Sequence, residues 1–154
     1  MSMTVALCLM LASVQSPGSS QARPNFAGEW LLVAPVDSAP TVARKMTVAQ
    51  EPTSIKVSRA SNAGSESTSY RLDPSTRTTG TSGSQPPGPD GRWAGGSLTL
   101  NEGKCGPKDT LDTCVDRSER WWIDQKGLLN IELKTYGPGK RIETKTFIYR
   151  RPGM

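Results

Sequence analysis

The segment Asn25-Phe26-Ala27-Gly28-Glu29-Trp30 follows an apolar N-terminal stretch and begins the first strand-like run of the chain. Phe26, Gly28 and Trp30 recur with a period of two, which places them on the same face of a β-strand. Gly28 has no side chain, so it leaves space on that face for a large neighbour. This pattern predicts a strand whose aromatic residues close one end of a small β-barrel.

The rest of the chain continues this strand pattern, with short alternating runs separated by turn residues such as Glu51-Pro52-Thr53. The runs predicted as strands are 26–33, 45–50, 54–59, 68–72, 76–81, 92–100, 118–124, 128–135 and 142–150. Sequential hairpins predict an all-β fold, an antiparallel up-and-down barrel of about eight strands, because closing the meander removes its exposed edges. A β-sandwich is the alternative fold.

Two segments interrupt the strand pattern. Residues 82–91 are rich in Gly and Pro, which cannot hold a strand ladder, so they are predicted to form a loop. Residues 101–116 are predicted to form the second large loop, which contains Cys105 and Cys114.

The first 22 residues have the character of a leader. They contain no charged side chain, and their apolar run from Val5 to Val14 is too short to cross a bilayer as a helix. The small residues Ser20 and Ala22 are typical of a signal-peptide cleavage site, although no basic residue precedes the apolar run. We therefore expect a signal peptide in residues 1–22 and one barrel domain in residues 23–154. The expected location is secreted or periplasmic, with no stable membrane insertion.

Two cysteines remain after removal of this leader, because Cys8 lies within it. An oxidising compartment favours a disulfide between Cys105 and Cys114. Free thiols and a two-cysteine metal site are the alternatives. The chain contains no histidine that would complete a zinc site, so we expect no metal and no cofactor.

The segment 25–30 resembles the Gly-x-Trp element of lipocalins, and more closely the Asn-Phe-x-Gly-x-Trp opening of secreted bacterial lipocalin-like (calycin-type) β-barrel domains. In that family the Trp packs at the closed end of the barrel against an Arg of the last strand. The resemblance implies structural roles for Phe26, Gly28 and Trp30, and for Arg150 near the C-terminus. It also implies a small ligand in the mouth of the barrel.

Side chains predicted to point into the barrel are the candidates for ligand binding. Trp121 and Trp122 are adjacent on one strand, so they face opposite sides, and an inward Ile123 places Trp121 inside and Trp122 outside. Glu119 shares the parity of Trp121. A carboxylate inside would need an Arg partner or hydrogen bonds, and the alternative is a position at the barrel rim in water. The residues predicted to bind the ligand are Trp93, Glu119, Trp121, Ile131 and Leu133. For the inward Trp, ordinary core packing is the alternative role.

Three functional hypotheses follow from these patterns. The leading one is an exported protein that binds a small apolar or amphipathic ligand in a barrel cavity. The second is a protein-interaction or inhibitor module with a filled barrel, which contacts a protein partner through the 82–91 and 101–116 loops. The third is a carboxylate-dependent enzyme, because a chain without histidine excludes Ser-His-Asp and Cys-His catalysis and leaves general acid-base chemistry to Asp, Glu, Lys or Tyr. No catalytic residue is assigned.

The charge distribution bears on nucleic acid as a partner. The net charge is +5, and its basic residues are spread along the chain among acidic ones. Proteins that bind nucleic acid more often concentrate their basic residues in one stripe with interleaved aromatic residues. We therefore do not expect nucleic-acid binding.

Overall fold

The computed structural model describes residues 22–35, 39–72, 89–103, 116–136 and 142–154, which form a closed β-barrel of nine strands. The strands are β1 (Gly28–Ala34), β2 (Lys45–Gln50), β3 (Ser54–Ser61), β4 (Gly64–Arg71), β5 (Asp90–Ala94), β6 (Ser97–Glu102), β7 (Arg117–Ile123), β8 (Leu129–Tyr136) and β9 (Ile142–Arg150). Strands that are consecutive in the chain are neighbours in the barrel, and β9 closes it by pairing with β1. The predicted all-β barrel is confirmed, and the sandwich alternative is wrong.

One pair of strands departs from the predicted antiparallel arrangement. Strands β4 and β5 run parallel and pair at Arg71 and Asp90, whereas the other neighbouring pairs formed by the described strands are antiparallel. A closed ring of antiparallel pairs alone needs an even number of strands, so a parallel pair is what allows nine strands to close. The barrel is therefore mixed.

The strand boundaries agree best for β2 and β9, which match the predicted runs 45–50 and 142–150. The prediction of one strand over 92–100 is wrong. Strand β5 ends at Ala94 and β6 begins at Ser97, because the chain turns at Gly95, whose φ is +57°.

Some residues of both predicted loops belong to strands. Asp90 and Gly91, predicted as loop, belong to β5, and Asn101 and Glu102 belong to β6. Outside the described residues lie the rest of the two predicted loops, 82–88 and 104–115, and the predicted strand 76–81. The same holds for both cysteines of the expected disulfide and for residues 1–21 of the expected signal peptide.

Alternation along the strands builds the core. In β2 and β3, the apolar residues Met46, Val48, Ile55 and Val57 are buried, and Thr47, which lies between the first two, is exposed. The other buried apolar side chains of the described residues are Phe26, Trp30, Ala43, Tyr70, Leu72, Leu98, Leu100, Trp121, Leu129, Ile131, Phe147 and Tyr149. Together they form one continuous core inside the barrel, the arrangement typical of a small closed barrel.

Aromatic residues close the end of the barrel where β1 begins and β9 ends, which we call the aromatic end. Strand β1 begins later than predicted, because Gly28 has a φ of +117° and turns the chain. Phe26 therefore precedes the strand. Its ring stacks on Trp93 at a centroid distance of 5.8 Å and meets Trp121 edge-on at 5.7 Å. The Trp30 indole N–H donates to the carbonyl oxygen of Phe26 over 2.8 Å.

The cation over Trp30 is Arg151 rather than the expected Arg150. The Arg151 guanidinium carbon lies 4.4 Å from the Trp30 ring centroid. The same guanidinium donates to two carbonyl oxygens of the segment before β1, at 2.9 and 3.0 Å. The expectation is wrong by one residue because Tyr149 is buried, so alternation turns Arg150 outward, where it is exposed.

Gly28 makes this approach possible. A Cβ atom at this position would lie 2.8 Å from Nη1 of Arg151, which is closer than carbon and nitrogen atoms tolerate. The positive φ also disfavours any side chain there. The glycine of the motif thus serves both the turn before β1 and the contact between Arg151 and Trp30.

We expect Trp30→Ala to lower the free energy of unfolding by about 3–5 kcal/mol, because it removes a fully buried side chain from the aromatic end. Urea denaturation of the wild type and the variant measures the difference. Trp122→Ala is the matched control, since Trp122 is only half-buried. A loss no larger than that of the control would contradict the structural role of Trp30.

We expect Arg151→Gln to lower the free energy of unfolding by about 1–3 kcal/mol, because it removes the cation over Trp30 and two charged hydrogen bonds. Arg150→Gln is the control, because it changes the net charge by the same amount at the adjacent position. It should have little effect on the free energy of unfolding. Equal losses in the two variants, measured by urea denaturation, would show that Arg151 does not hold the aromatic end together.

Candidate functional site

A group of charged and polar side chains lies inside the barrel towards the opposite end, where β6 ends, β7 begins, β8 ends and β9 begins. We call this end the loop end. The group, named here the Glu119 cluster, is drawn from β3, β4, β6 and β7 and consists of Arg59, Tyr70, Glu102, Arg117 and Glu119. Glu102 is the last residue of β6 and Arg117 is the first of β7, so these two side chains are nearest the loop end.

Glu119 is the centre of the cluster. Its Oε2 atom accepts hydrogen bonds from Nη2 of Arg59 and from the indole nitrogen of Trp121, each at 2.8 Å. Its Oε1 atom accepts a hydrogen bond from Nη2 of Arg117. The side chains of Glu119 and Arg59 are 4% and 5% exposed, so this is a buried ion pair in which both carboxylate oxygens have partners.

Strand alternation explains why these residues point inward. Arg59 continues the buried series of Ile55 and Val57 along β3. Glu119 lies two residues from the buried Trp121 on β7 and therefore shares its face. The sequence-based expectation left Glu119 open between the interior and the rim, and the structure places it in the interior with the arginine partners that a buried carboxylate needs.

A second pair extends the cluster towards β4 and β6. The Tyr70 hydroxyl donates to Oε1 of Glu102 and accepts a longer hydrogen bond of 3.4 Å from Nη1 of Arg59. Tyr70 is buried and Glu102 is half-buried. Arg59 thus connects the carboxylate of Glu119 to the tyrosine and, through it, to the second carboxylate.

The buried charges hold one another ionised. Burial alone would raise the pKa of Glu119, but the positive charges of Arg59 and Arg117 and the hydrogen bond from Trp121 bring that pKa below its ordinary value. Burial alone would lower the pKa of Arg59, and the Glu119 carboxylate reverses this effect. Both groups are therefore charged at neutral pH.

The two tyrosines near these charges stay protonated. Burial raises the pKa of Tyr149 to about 12, with a further contribution from the negative charge of Glu119. Burial and the neighbouring carboxylates likewise raise the pKa of Tyr70 above its ordinary range. The Tyr149 hydroxyl donates to the carbonyl oxygen of Ala43 over 3.0 Å. At neutral pH both side chains therefore act as neutral donors.

Arg117 is the member of the cluster that reaches furthest towards solvent. Its side chain is 31% exposed, compared with 4% for its partner Glu119. Its Nε–H is nevertheless buried and, among the buried side-chain nitrogens and oxygens of the described residues, is the one without a hydrogen-bond partner. A buried donor without an acceptor is unusual in a native structure.

The predicted ligand-binding residues lie in two places. Trp121 contacts the Glu119 cluster through its indole nitrogen, and Ile131 is buried directly across from it on β8. Leu133 is half-buried and pairs with Glu119, so it lies beside the cluster. Trp93 is separate from this group, because it stacks on Phe26 at the aromatic end.

Trp93 instead lines a surface cleft of about 300 Å³ at the aromatic end. The other lining residues are Arg23, Asn25, Gln50, Glu51 and Pro52. The Trp93 ring already has Phe26 stacked against it, and the Arg23 guanidinium lies over it at 5.5 Å. Gln50 is likewise engaged, since it accepts from the Phe26 amide. The cleft is therefore built from side chains that hold the N-terminal segment in place.

The arginines of the cluster were missed at the level of sequence, as were Tyr70 and Glu102. The signal for Arg59 was present, because the spacing Ile55, Val57, Arg59 places an arginine on an otherwise apolar face. Its partner lies sixty residues further along the chain, and no local pattern connects the two. Only the closure of the barrel brings them together.

Two absences concern the described residues only. They contain no helix with the length and apolar character needed to cross a bilayer. Within the same ranges, no three or more Cys, Asp or Glu side chains converge in a way that would hold a metal ion.

We expect Glu119→Gln to lower the free energy of unfolding by about 3–5 kcal/mol at pH 7, because it leaves Arg59 buried without its counter-charge. The pKa of Glu119 is lower in the folded protein, so its ion pairs stabilise the fold above its ordinary value of 4.5 and lose this effect as the pH falls through the folded value. The difference between wild type and variant should therefore shrink at pH 3, as measured by urea denaturation at both pH values.

Glu132→Gln is the control for this variant, because Glu132 pairs with Lys134 on the barrel surface at 3.3 Å. It should cost no more than about 1 kcal/mol at either pH. A Glu119→Gln loss that is as small as the control's, or that is unchanged between pH 7 and pH 3, would contradict the buried ion pair.

Comparisons with known proteins return no family model, no curated protein and no solved structure that matches the chain. The nine-stranded barrel is compatible with the resemblance of segment 25–30 to lipocalin-like domains. Closed barrels, however, occur in several unrelated families. The lipocalin-like assignment therefore stays a prediction.

Proposed function

We propose that the protein is an exported binding protein that holds a small amphipathic ligand at the loop end of its barrel. The ligand's polar group contacts the Glu119 cluster, and its apolar part lies against the half-buried Leu133 beside that cluster. The signal-like residues 1–22 support export, and the expected disulfide between Cys105 and Cys114 fits the same compartment.

The position of Arg117 is the observation that carries this proposal. Its guanidinium is anchored by Glu119 below it, its side chain is partly exposed, and its buried Nε–H has no acceptor. Binding sites fix the orientation of a ligand with a small number of anchored polar groups, and the Arg117 guanidinium is such a group.

The energetic cost of the cluster supports the same function. Moving charges from water into a barrel interior is unfavourable, and apolar residues of similar volume fill such a space at lower cost. The aromatic end of this barrel is filled in that way, by Phe26, Trp30 and their neighbours. Charged residues that interrupt the core at one end only are therefore more readily explained by binding than by stability.

The cluster does not favour the enzyme hypothesis. A carboxyl group that acts as a general acid at neutral pH needs a raised pKa, which keeps it protonated. The positive charges of Arg59 and Arg117 instead lower the pKa of Glu119 below its ordinary value, despite its burial. The protein-interaction hypothesis relies on the 82–91 and 101–116 loops, and most residues of these loops lie outside the described residues.

The Trp121 indole N–H reports directly on ligand binding, because it donates to Glu119 at the centre of the cluster. The chain contains four tryptophans, so a ¹⁵N-labelled protein should show four indole signals, with Trp121 assigned from a Trp121→Phe variant. We expect titration with the eight-carbon probes 1-octanol, methyl octanoate and octanoate to give a saturable shift of the Trp121 signal with at least one of them.

We expect Arg117→Gln to weaken that binding about tenfold or more, because it removes a charged donor at the site. Arg120→Gln is the matched control, since Arg120 lies on the same strand but outside, over the ring of Trp122 at 5.8 Å. Two outcomes would overturn the proposed function: no probe shifts the Trp121 signal, or the Arg117 variant binds as tightly as the control.

A further inference from the structure

Given the proposed function, we infer that the ligand's polar group is uncharged and bears an acceptor oxygen, as in an ester or another carbonyl compound, and that this oxygen accepts a hydrogen bond from Nε–H of Arg117. This inference concerns the class of ligand. It depends on the charge balance of the Glu119 cluster and on which of its donors are already occupied.

The charges inside the cluster are balanced. The two guanidinium groups of Arg59 and Arg117 face the two carboxylates of Glu102 and Glu119, and Tyr70 is neutral. Nearby on β9, Lys145 and Glu143 also pair with each other, at 3.7 Å. A ligand with a net charge would add an uncompensated charge to a partly buried site, which is unfavourable. The cluster therefore disfavours carboxylate and ammonium head groups alike.

The hydrogen bonds within the cluster leave one buried donor without an acceptor. Both oxygens of Glu119 accept hydrogen bonds, the hydroxyl of Tyr70 both donates and accepts, and the indole N–H of Trp121 donates to Glu119. Among the buried side-chain nitrogens and oxygens of the described residues, Nε of Arg117 is left without a partner. This donor therefore favours a ligand that brings an acceptor.

The positive charge of Arg117 is already paired with the carboxylate of Glu119, which distinguishes this site from an anion-binding site. Its Nη2 donates to Oε1 of Glu119, so the guanidinium is paired while its Nε–H still lacks an acceptor. A neutral carbonyl oxygen satisfies that N–H without changing the charge balance. A carboxylate would satisfy it too, but it would compete with Glu119 for the same guanidinium.

Probes that share one acyl chain test this inference, through the shift of the Trp121 indole signal at pH 7.5. Methyl octanoate is neutral and has a carbonyl oxygen, octanoate is anionic, and octylammonium is cationic. We expect methyl octanoate to bind the wild-type protein about tenfold or more tightly than either charged probe. Octanoate or octylammonium binding as tightly as the ester would overturn the inference, whereas no shift with any probe would overturn the proposed function itself.

A variant of Glu102 distinguishes the effect of charge balance on ligand affinity from the effect of the greater hydrophobicity of the ester. Glu102→Gln removes one negative charge from the cluster and leaves Arg117 and Glu119 in place. We expect it to strengthen octanoate binding about tenfold while changing ester binding less than about threefold. Glu132→Gln removes the same charge on the barrel surface and should change neither. Octanoate affinity that is equal in the Glu102 and Glu132 variants would show that apolarity alone sets the preference.

Discussion

The interior of this barrel depends on the ionised carboxylate of Glu119. Its two oxygens connect Arg59 on β3 to Arg117 and Trp121 on β7, across the width of the barrel. A carboxylate that is only 4% exposed would be strongly destabilising without these three donors. The positions of two strands on opposite sides of the core are therefore tied to one side chain.

Trp121 connects this carboxylate to the aromatic end of the barrel. Its indole nitrogen donates to Glu119, and its ring meets Phe26 edge-on. Phe26 in turn stacks on Trp93 and accepts the indole hydrogen bond of Trp30. A continuous series of contacts thus runs from the charged cluster to the aromatic residues that close the barrel.

The two ends of the barrel are built by different physical means. At the aromatic end, buried rings and the guanidinium of Arg151 hold the segments that flank β1 and β9, which stabilises the closure of the barrel. Towards the loop end, paired charges occupy space that apolar side chains would fill at lower cost, and one donor is left without a partner. This contrast between a stabilised end and a costly one supports the proposed ligand site at the loop end.

Alternation and turn residues along the chain were sufficient to predict an all-β barrel, the strands 45–50 and 142–150, and the inward position of Trp121, because these depend on neighbours in sequence. The same reasoning failed at 92–100, where continuous alternation on both sides of Gly95 conceals a turn. Only the tertiary structure decided three other features: the parallel pairing of β4 with β5, the packing of Arg151 instead of Arg150 over Trp30, and the ion pair between Arg59 and Glu119. Each of these is set by how distant strands align when the barrel closes, and no local pattern in the chain records that alignment.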